Sequence, residues 1–307
     1  MIGNFSRCGT VLLVLLLPTL LGGCSIRQVA VDRVGDALEQ GGTAFASDDD
    51  PELVRAATPF GLKLIDGLLD ESPRHRGLLL AAARGYAQFA YAFVQQDAEH
   101  LEADNAVQSR QARARAQGLY RRARDYGLRG LELDHPGIAQ ELRRDPVRAV
   151  AAASRRDVPL LFWTAASWGA LIALSKDDPE TLAAVPVVEA MADRALALDE
   201  GFEHGAIHTF LISYEMARPG GRGDAADRAR GHFERAMAMT SGRDAAPFVA
   251  FAEAVCVPRG RRSEFHALLD QAVGIDPDKA PANRLANLVA QQRARWLLSR
   301  IDDLFNE

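Results

Sequence analysis

Cysteine is scarce in this chain, and its placement leaves no disulfide framework. Of the three, Cys8 and Cys24 lie in or beside an N-terminal apolar segment, and Cys256 stands alone. A fold held by intrachain disulfides is therefore excluded once that segment is set aside. Alternating runs of β-branched residues are also absent, so nothing reads as a sheet. There is no Gly-x-Ser-x-Gly, no Gly-rich phosphate loop and no Cys-His pairing, which removes the usual signatures of acyl transfer, nucleotide hydrolysis and thiol catalysis. Basic excess is missing too, because the formal net charge is −5. That balance argues against nucleic acid as a partner. After the N-terminal segment no apolar run is long enough to span a bilayer. The strongest candidate, residues 158–174, is flanked by Asp157 and Lys176 and reads as a buried helix.

What is present begins at the N-terminus. Arg7 precedes an apolar run from Val11 to Leu21, and Leu21-Gly22-Gly23-Cys24 closes it. The run is too short for a membrane helix of roughly 20 residues and has the layout of a secretory signal. A cleavage site that ends in cysteine resembles a bacterial lipobox. It implies removal of residues 1–23 and acylation of Cys24. Two or more acyl chains anchor a protein durably, whereas one does so marginally. Ser25, in place of an Asp, favours the periplasmic face of the outer membrane over inner-membrane retention. The expected organisation is then a signal peptide over 1–23, an anchor and first helix over 24–50, and a single α-helical repeat domain over 51–307.

The mature chain reads as helix throughout, rich in Ala, Leu, Arg and Glu. Asp or Ser before Pro at positions 50–51, 72–73, 145–146, 178–179 and 276–277 marks N-caps followed by a first helical residue. About twelve helices are expected from this punctuation. Segments ending in small apolar residues and an acid recur, as at 130–134, 195–199 and 272–277. Spacings from Leu198 to Met239 to Ile275 are 41 and 36 residues, near the 34-residue tetratricopeptide period. Ala229, Phe233 and Ala236 have the spacing of that repeat's second helix. Residues 74–103 and 105–133 read as a long hairpin with its tip near Asp104 and Asn105. The fold class expected is all-α: cryptic tetratricopeptide-like hairpins in a compact α-solenoid.

Two stretches lack a polar face. Residues 78–94 hold Tyr86, Phe89, Tyr91 and Phe93 with Arg84 as the one charge. Residues 158–174 hold Phe162, Trp163 and Trp168, with Thr164 and Ser167 as the polar side chains. Helices apolar all round must be enclosed, so the centre is either packed solid or hollow. Composition alone favours solid packing. If it is hollow, Trp163, Trp168, Phe89 and Phe93 are the candidate lining, with Tyr86, Thr164 and Ser167 as its sparse polar contacts. The two tryptophans are five positions apart and point in different directions. The hydroxyls of Thr164 and Ser167 ordinarily bond their own helix.

Other candidates have structural readings. His204 and His208 have i,i+4 metal spacing, but Gly205 stands where a zincin needs Glu, and no carboxylate or Cys completes a set. Seven arginines and one acid over 110–129 read as a solvated face that pairs partly with Glu99, Glu102 and Asp104. Cys256, in an apolar setting, reads as a buried inert thiol. No catalytic residue, metal or cofactor is assigned.

Several ordered blocks resemble the TRAP transporter T-component (TatT) family of lipoproteins. They are Gly85-Tyr-Ala-Gln-Phe-Ala-Tyr-Ala-Phe-Val94, residues 119–128, Phe162-Trp-Thr-Ala-Ala-Ser-Trp-Gly-Ala170, residues 205–215, Phe251-Ala-Glu-Ala-Val-Cys256 and Arg293-Ala-Arg-Trp-Leu-Leu298. The resemblance implies a lipid-anchored all-α protein of cryptic tetratricopeptide repeats with an apolar central channel. It implies oligomerisation and docking to a periplasmic solute-binding protein of a TRAP transporter, and no hydrolysis. It shifts the weight toward a hollow centre. The rival is a tetratricopeptide scaffold lipoprotein for outer-membrane or cell-wall assembly, with no small-molecule ligand.

Overall fold

The computed structural model describes Arg33, residues 45–218 and residues 220–305. Cys24 and the apolar leader lie outside the described residues, as does Pro219. Among the described residues every regular element is helical. We number the α-helices α1 Pro51–Glu71, α2 Arg76–Phe89, α3 Gln96–His100, α4 Ala106–Asp134, α5 Ile138–Arg144, α6 Pro146–Ala151 and α7 Val158–Ala173. They continue with α8 Pro179–Leu182, α9 Val185–Leu198, α10 Ala206–Ala217, α11 Ala225–Thr240, α12 Ala246–Phe251, α13 Arg262–Gly274, α14 Arg284–Ser299 and α15 Ile301–Phe305. Several of these are single turns, which is why the count exceeds the expected twelve.

The helix starts follow local chemistry. Asp50 accepts from the backbone N–H groups of Glu52 and Leu53 at 3.0 Å each, ahead of Pro51. Asp145, Asp178 and Asp276 cap three further Pro-led helices in the same way. Such a cap satisfies donors that the first turn leaves open and contributes about 1 kcal/mol. Ser72 departs from the rule. It stands before Pro73 but closes α1, its N–H donating to the Leu68 carbonyl at 2.8 Å. Asn105 caps α4 at the expected hairpin tip, accepting from Gln108 N–H at 3.1 Å.

α7 carries the enclosed apolar sequence and packs against α2, α4 and α9. Leu160, Leu161, Ala165 and Leu171 are sealed from solvent. Burying each leucine contributes roughly 1.5–3 kcal/mol. The approach of α4 to α7 requires glycine. A Cβ at Gly127 would lie 2.0 Å from Thr164 Oγ1, and one at Gly130 would lie 2.7 Å from Leu160 Cδ2.

The packing order runs α1, α2, α4, α7, α9, α10, then α12, α13 and α14. The circuit then closes. α14 returns to α1, and Val289 joins the first core cluster beside Leu62, Tyr86 and Phe89. His100 and Trp296 stack with ring centres 4.8 Å apart, tying α3 to α14.

Candidate functional site

The apolar residues singled out in the sequence sit at three kinds of place. Tyr86, Phe89 and Phe93 are buried in the cluster shared by α1, α2 and α4. Tyr86 Oη donates to Asp66 Oδ2 at 2.8 Å and its ring stacks on Tyr126 at 5.9 Å. Phe89 lies under the Arg115 guanidinium and Phe93 under that of Arg55. Thr164 and Ser167 are sealed in α7, their hydroxyls donating at 2.6 Å to the carbonyls of Leu160 and Trp163. Trp163 and Trp168 are both half-buried and diverge. Trp163 Nε1 donates to Glu203 Oε1 at 3.4 Å, whereas Trp168 lies under the Arg124 guanidinium at 5.1 Å. Trp163 shares the first cluster with Phe89 and Phe93, and Trp168 packs only on the second.

The accessible stripe of this helix is a different one. Arg84, Gln88, Tyr91 and Gln95 recur at helical spacing, and each is partly or fully accessible. Tyr91 is 52 % exposed. Even so, burial pushes its phenol up to about 12, with Glu253 adding to the rise. Glu253 and Glu203 behave alike. Each has accessible surface, yet burial raises its carboxyl above the ordinary range against the pull of Arg293 and Arg84 respectively. Accessible side chains that are nevertheless crowded by protein belong to a concave inner surface, since a convex outer face is well hydrated.

Two π-helical turns place these groups. One, Ala90–Gln95, extends α2 and carries Tyr91 and Gln95. The other, Ala252–Cys256, extends α12 and carries Glu253. A π turn widens the helix by one residue and re-aims the side chains beyond it; such turns concentrate at functional sites. Arg293 of α14 joins the two. Its Nη2 lies 2.5 Å from Glu99 Oε2 and 2.5 Å from Glu253 Oε1, and its Nε donates to Glu253 Oε2 at 3.3 Å. Gln95 Nε2 donates to Glu99 Oε1 at 3.0 Å, and Tyr120 Oη donates to Gln95 Oε1 at 2.7 Å. Trp296 covers the guanidinium at 4.3 Å. This cluster corrects the expectation that Glu99 pairs with the arginines of α4. Of those, Arg113 does reach Glu102, at 3.4 Å.

Other polar groups are structural knots. Glu215 is 3 % exposed, with Oε2 at 2.5 Å from Arg228 Nε and Oε1 at 3.0 Å from Arg218 Nη1. Burial pushes its carboxyl up, but the two arginines overrule this and hold it below the ordinary range. Beside it a polar hollow of about 370 Å³ is lined by Glu189, Arg222 and the Gly220–Gly221 turn. A second, of about 400 Å³, lies over Asp66, Arg122 and Tyr126 on the outside of α1 and α4. His204 does not share a helix face with His208. It sits at φ 57° in the turn before α10, which starts at Ala206. His208 is buried, its Nδ1 2.8 Å from His232 Nδ1 and its Nε2 3.1 Å from Glu200 Oε1. Burial lowers both histidines, which favours their neutral forms. Cys256 is free and fully buried, and burial pushes its thiol up to about 12.

Among the described residues no group of three or more His, Cys, Asp or Glu is placed to hold a metal ion. None of their helices is long and apolar enough to cross a membrane. A protein of Treponema pallidum (strain Nichols), itself uncharacterised, is 32 % identical over 265 residues, covering 85 % of this chain and 82 % of its own. Residues 47–305 match the family model of the TRAP transporter T-component. The all-helical circuit and this match over nearly the whole helical region agree, and the chain belongs to the TRAP transporter T-component family.

Proposed function

We propose that the protein is a lipid-anchored periplasmic accessory component of a TRAP-type system, whose tetratricopeptide-like helix pairs curl into a solenoid around an internal lumen. The lumen receives an apolar or amphipathic ligand and passes it to, or accepts it from, a periplasmic solute-binding protein. The observation that carries this reading is the stripe headed by Tyr91. It is accessible and crowded by protein at once, inside a helix circuit whose last long helix packs on its first. Trp163 lies on the adjoining face of α7, and Ala166 and Ala170 follow it at helical spacing with partial exposure. An apolar wall with a few placed polar groups is the usual composition of a ligand site. Phe89, Phe93 and Trp168 would then act behind that wall. Tyr86, Thr164 and Ser167, whose hydroxyls are engaged, would set its shape.

Purification of the full chain from membranes, followed by native mass spectrometry, tests the reading. The expected result is a bound small molecule that Trp163→Ala loses. Wild-type protein free of any such molecule, yet still able to capture a solute-binding protein, would leave a scaffold. The anchor has its own test. Cys24→Ala is expected to leave uncut precursor, and cleavage of that variant at the same bond would remove the lipobox.

A further inference from the structure

The lumen reading leaves open what head group the ligand carries, and the cluster at the two π turns bears on that. Arg293 is its one cation, and it is fully engaged. Two carboxylates share its Nη2, Glu253 also takes its Nε, and Trp296 covers its face. Its remaining group, Nη1, is buried without a hydrogen-bond partner, out of reach of an incoming molecule. An anion therefore meets no free donor from Arg293. Glu99 and Glu253 together carry two negative charges against one positive, an excess of one. A carboxylate offers about four lone-pair sites, and Glu253 uses two of them on Arg293. Its side chain keeps 31 % of its surface accessible. Close by, Tyr91 presents a half-exposed ring, and its hydroxyl makes no hydrogen bond to any described residue. An accessible carboxylate beside an aromatic face is the surrounding that attracts an ammonium group.

The geometry points to a receptor for the ammonium head of an amphipathic amine, with Glu253 supplying the charge, Tyr91 the ring and hydroxyl, and Trp163 and its neighbours on α7 the wall for the tail. This rests on the lumen reading and gives it a substrate class: cationic or zwitterionic through an amine, and not a simple carboxylic acid. Arg293 and Glu99 are positioning residues here, holding Glu253 in one rotamer. The π turn over 252–256 brings Glu253 to Arg293, and the one over 90–95 brings Tyr91 to Glu253.

Calorimetry on the full chain at neutral pH, with octylamine, octanoate and octanol below their micellar range, tests the inference. Octylammonium is expected to bind about tenfold or more tighter than either of the others, a difference of about 1.4 kcal/mol. Glu253→Gln is expected to erase most of that preference. Tyr91→Leu, which leaves the Arg293 pairings untouched, is expected to weaken octylammonium several-fold while sparing octanol. Thermal unfolding of each variant confirms that it folds. Octanoate or octanol binding as tightly as octylammonium would overturn the amine receptor and leave the lumen standing. An unchanged preference in both variants would place the amine elsewhere and overturn the site. If none of the three binds, the lumen reading fails with it.

Discussion

Glu215 and Glu253 are the same residue type, each in contact with arginine, and they are shifted in opposite directions. Glu215 has two arginines to itself and is held below the ordinary carboxylate range. Glu253 shares one arginine with Glu99 and is pushed above it by burial. The difference is one of stoichiometry. A buried charge that is fully compensated and hydrogen-bonded ties its elements together and has nothing left to offer. One left partly uncompensated on an accessible inner face is a charge waiting for a partner. The Glu215 knot joins α10 to α11 and to Arg218 just beyond the end of α10. The Glu253 cluster sits where the helix circuit closes, and it is where binding is proposed.

The largest expected effect is at the knot. Glu215→Ala leaves the Arg228 guanidinium without its carboxylate, while Arg218 keeps Asp193 and Glu189. Removing one partner of a buried pair costs about 3–5 kcal/mol, and the retained partners put this case near about 3 kcal/mol. Urea unfolding measures it. A loss below about 1 kcal/mol would erase the contrast with Glu253, whose replacement by Gln is expected to change stability by less than about 1 kcal/mol or to raise it.

The pH dependence sharpens the contrast because the signs differ. Glu215 is lowered, so its stabilisation is present above its ordinary value of 4.5 and fades as pH falls through and below it. Glu253 is raised, so the folded state favours its neutral form. Its contribution is complete below 4.5 and is lost as pH rises from there through its folded value. The stability difference between wild type and Glu215→Gln should therefore shrink on acidification. Glu253→Gln should instead gain on wild type as pH climbs from 4 to 7. Unfolding curves for both variants across that range check the pair of slopes. Equal slopes would make the two glutamates equivalent.

The sequence made the scaffold legible because its signals are local. Asp before Pro fixes the caps of α1, α6 and α8, and Asn105 fixes the hairpin tip. Apolar composition all round identified α7 as enclosed. The inner surface was harder to see, since it depends on two things outside the reach of periodicity. One is the π turn, which inserts a residue into the 3.6 spacing. Extrapolating an ideal helix from Tyr86 through Phe89 to Phe93 follows the buried stripe and passes over Tyr91. The other is closure. Nothing near Glu99 announces that its partner is Arg293, almost two hundred residues later, and the local arginines of α4 were the natural candidates. The trace that did exist lay in the family blocks, which contain Tyr91, Glu253 and Arg293.

The smallest expected effect is the most discriminating, because it compares two tyrosines five residues apart on one helix. Tyr86 and Tyr91 are both pushed up to about 12 chiefly by burial, and so look alike by titration. They differ in what the hydroxyl does. Tyr86 Oη donates to Asp66, whose other oxygen accepts from Tyr126 at 2.7 Å. Tyr86→Phe removes one hydrogen bond to a charged group and should cost about 1.5–3 kcal/mol, toward the low end because Tyr126 and Lys63 remain on Asp66. Tyr91 Oη has no hydrogen-bond partner among the described residues, so Tyr91→Phe should leave stability within about 0.5 kcal/mol of wild type. If Tyr91 lay in a packed core, the same change would expose no new surface and alter no binding. If it faces the lumen, Tyr91→Phe keeps the ring and loses the hydroxyl. Octylammonium should then bind slightly less tightly, by a factor below that of Tyr91→Leu. A stability loss at Tyr91 equal to that at Tyr86 would mean its hydroxyl is engaged in the folded protein, and the accessible stripe would lose its central member.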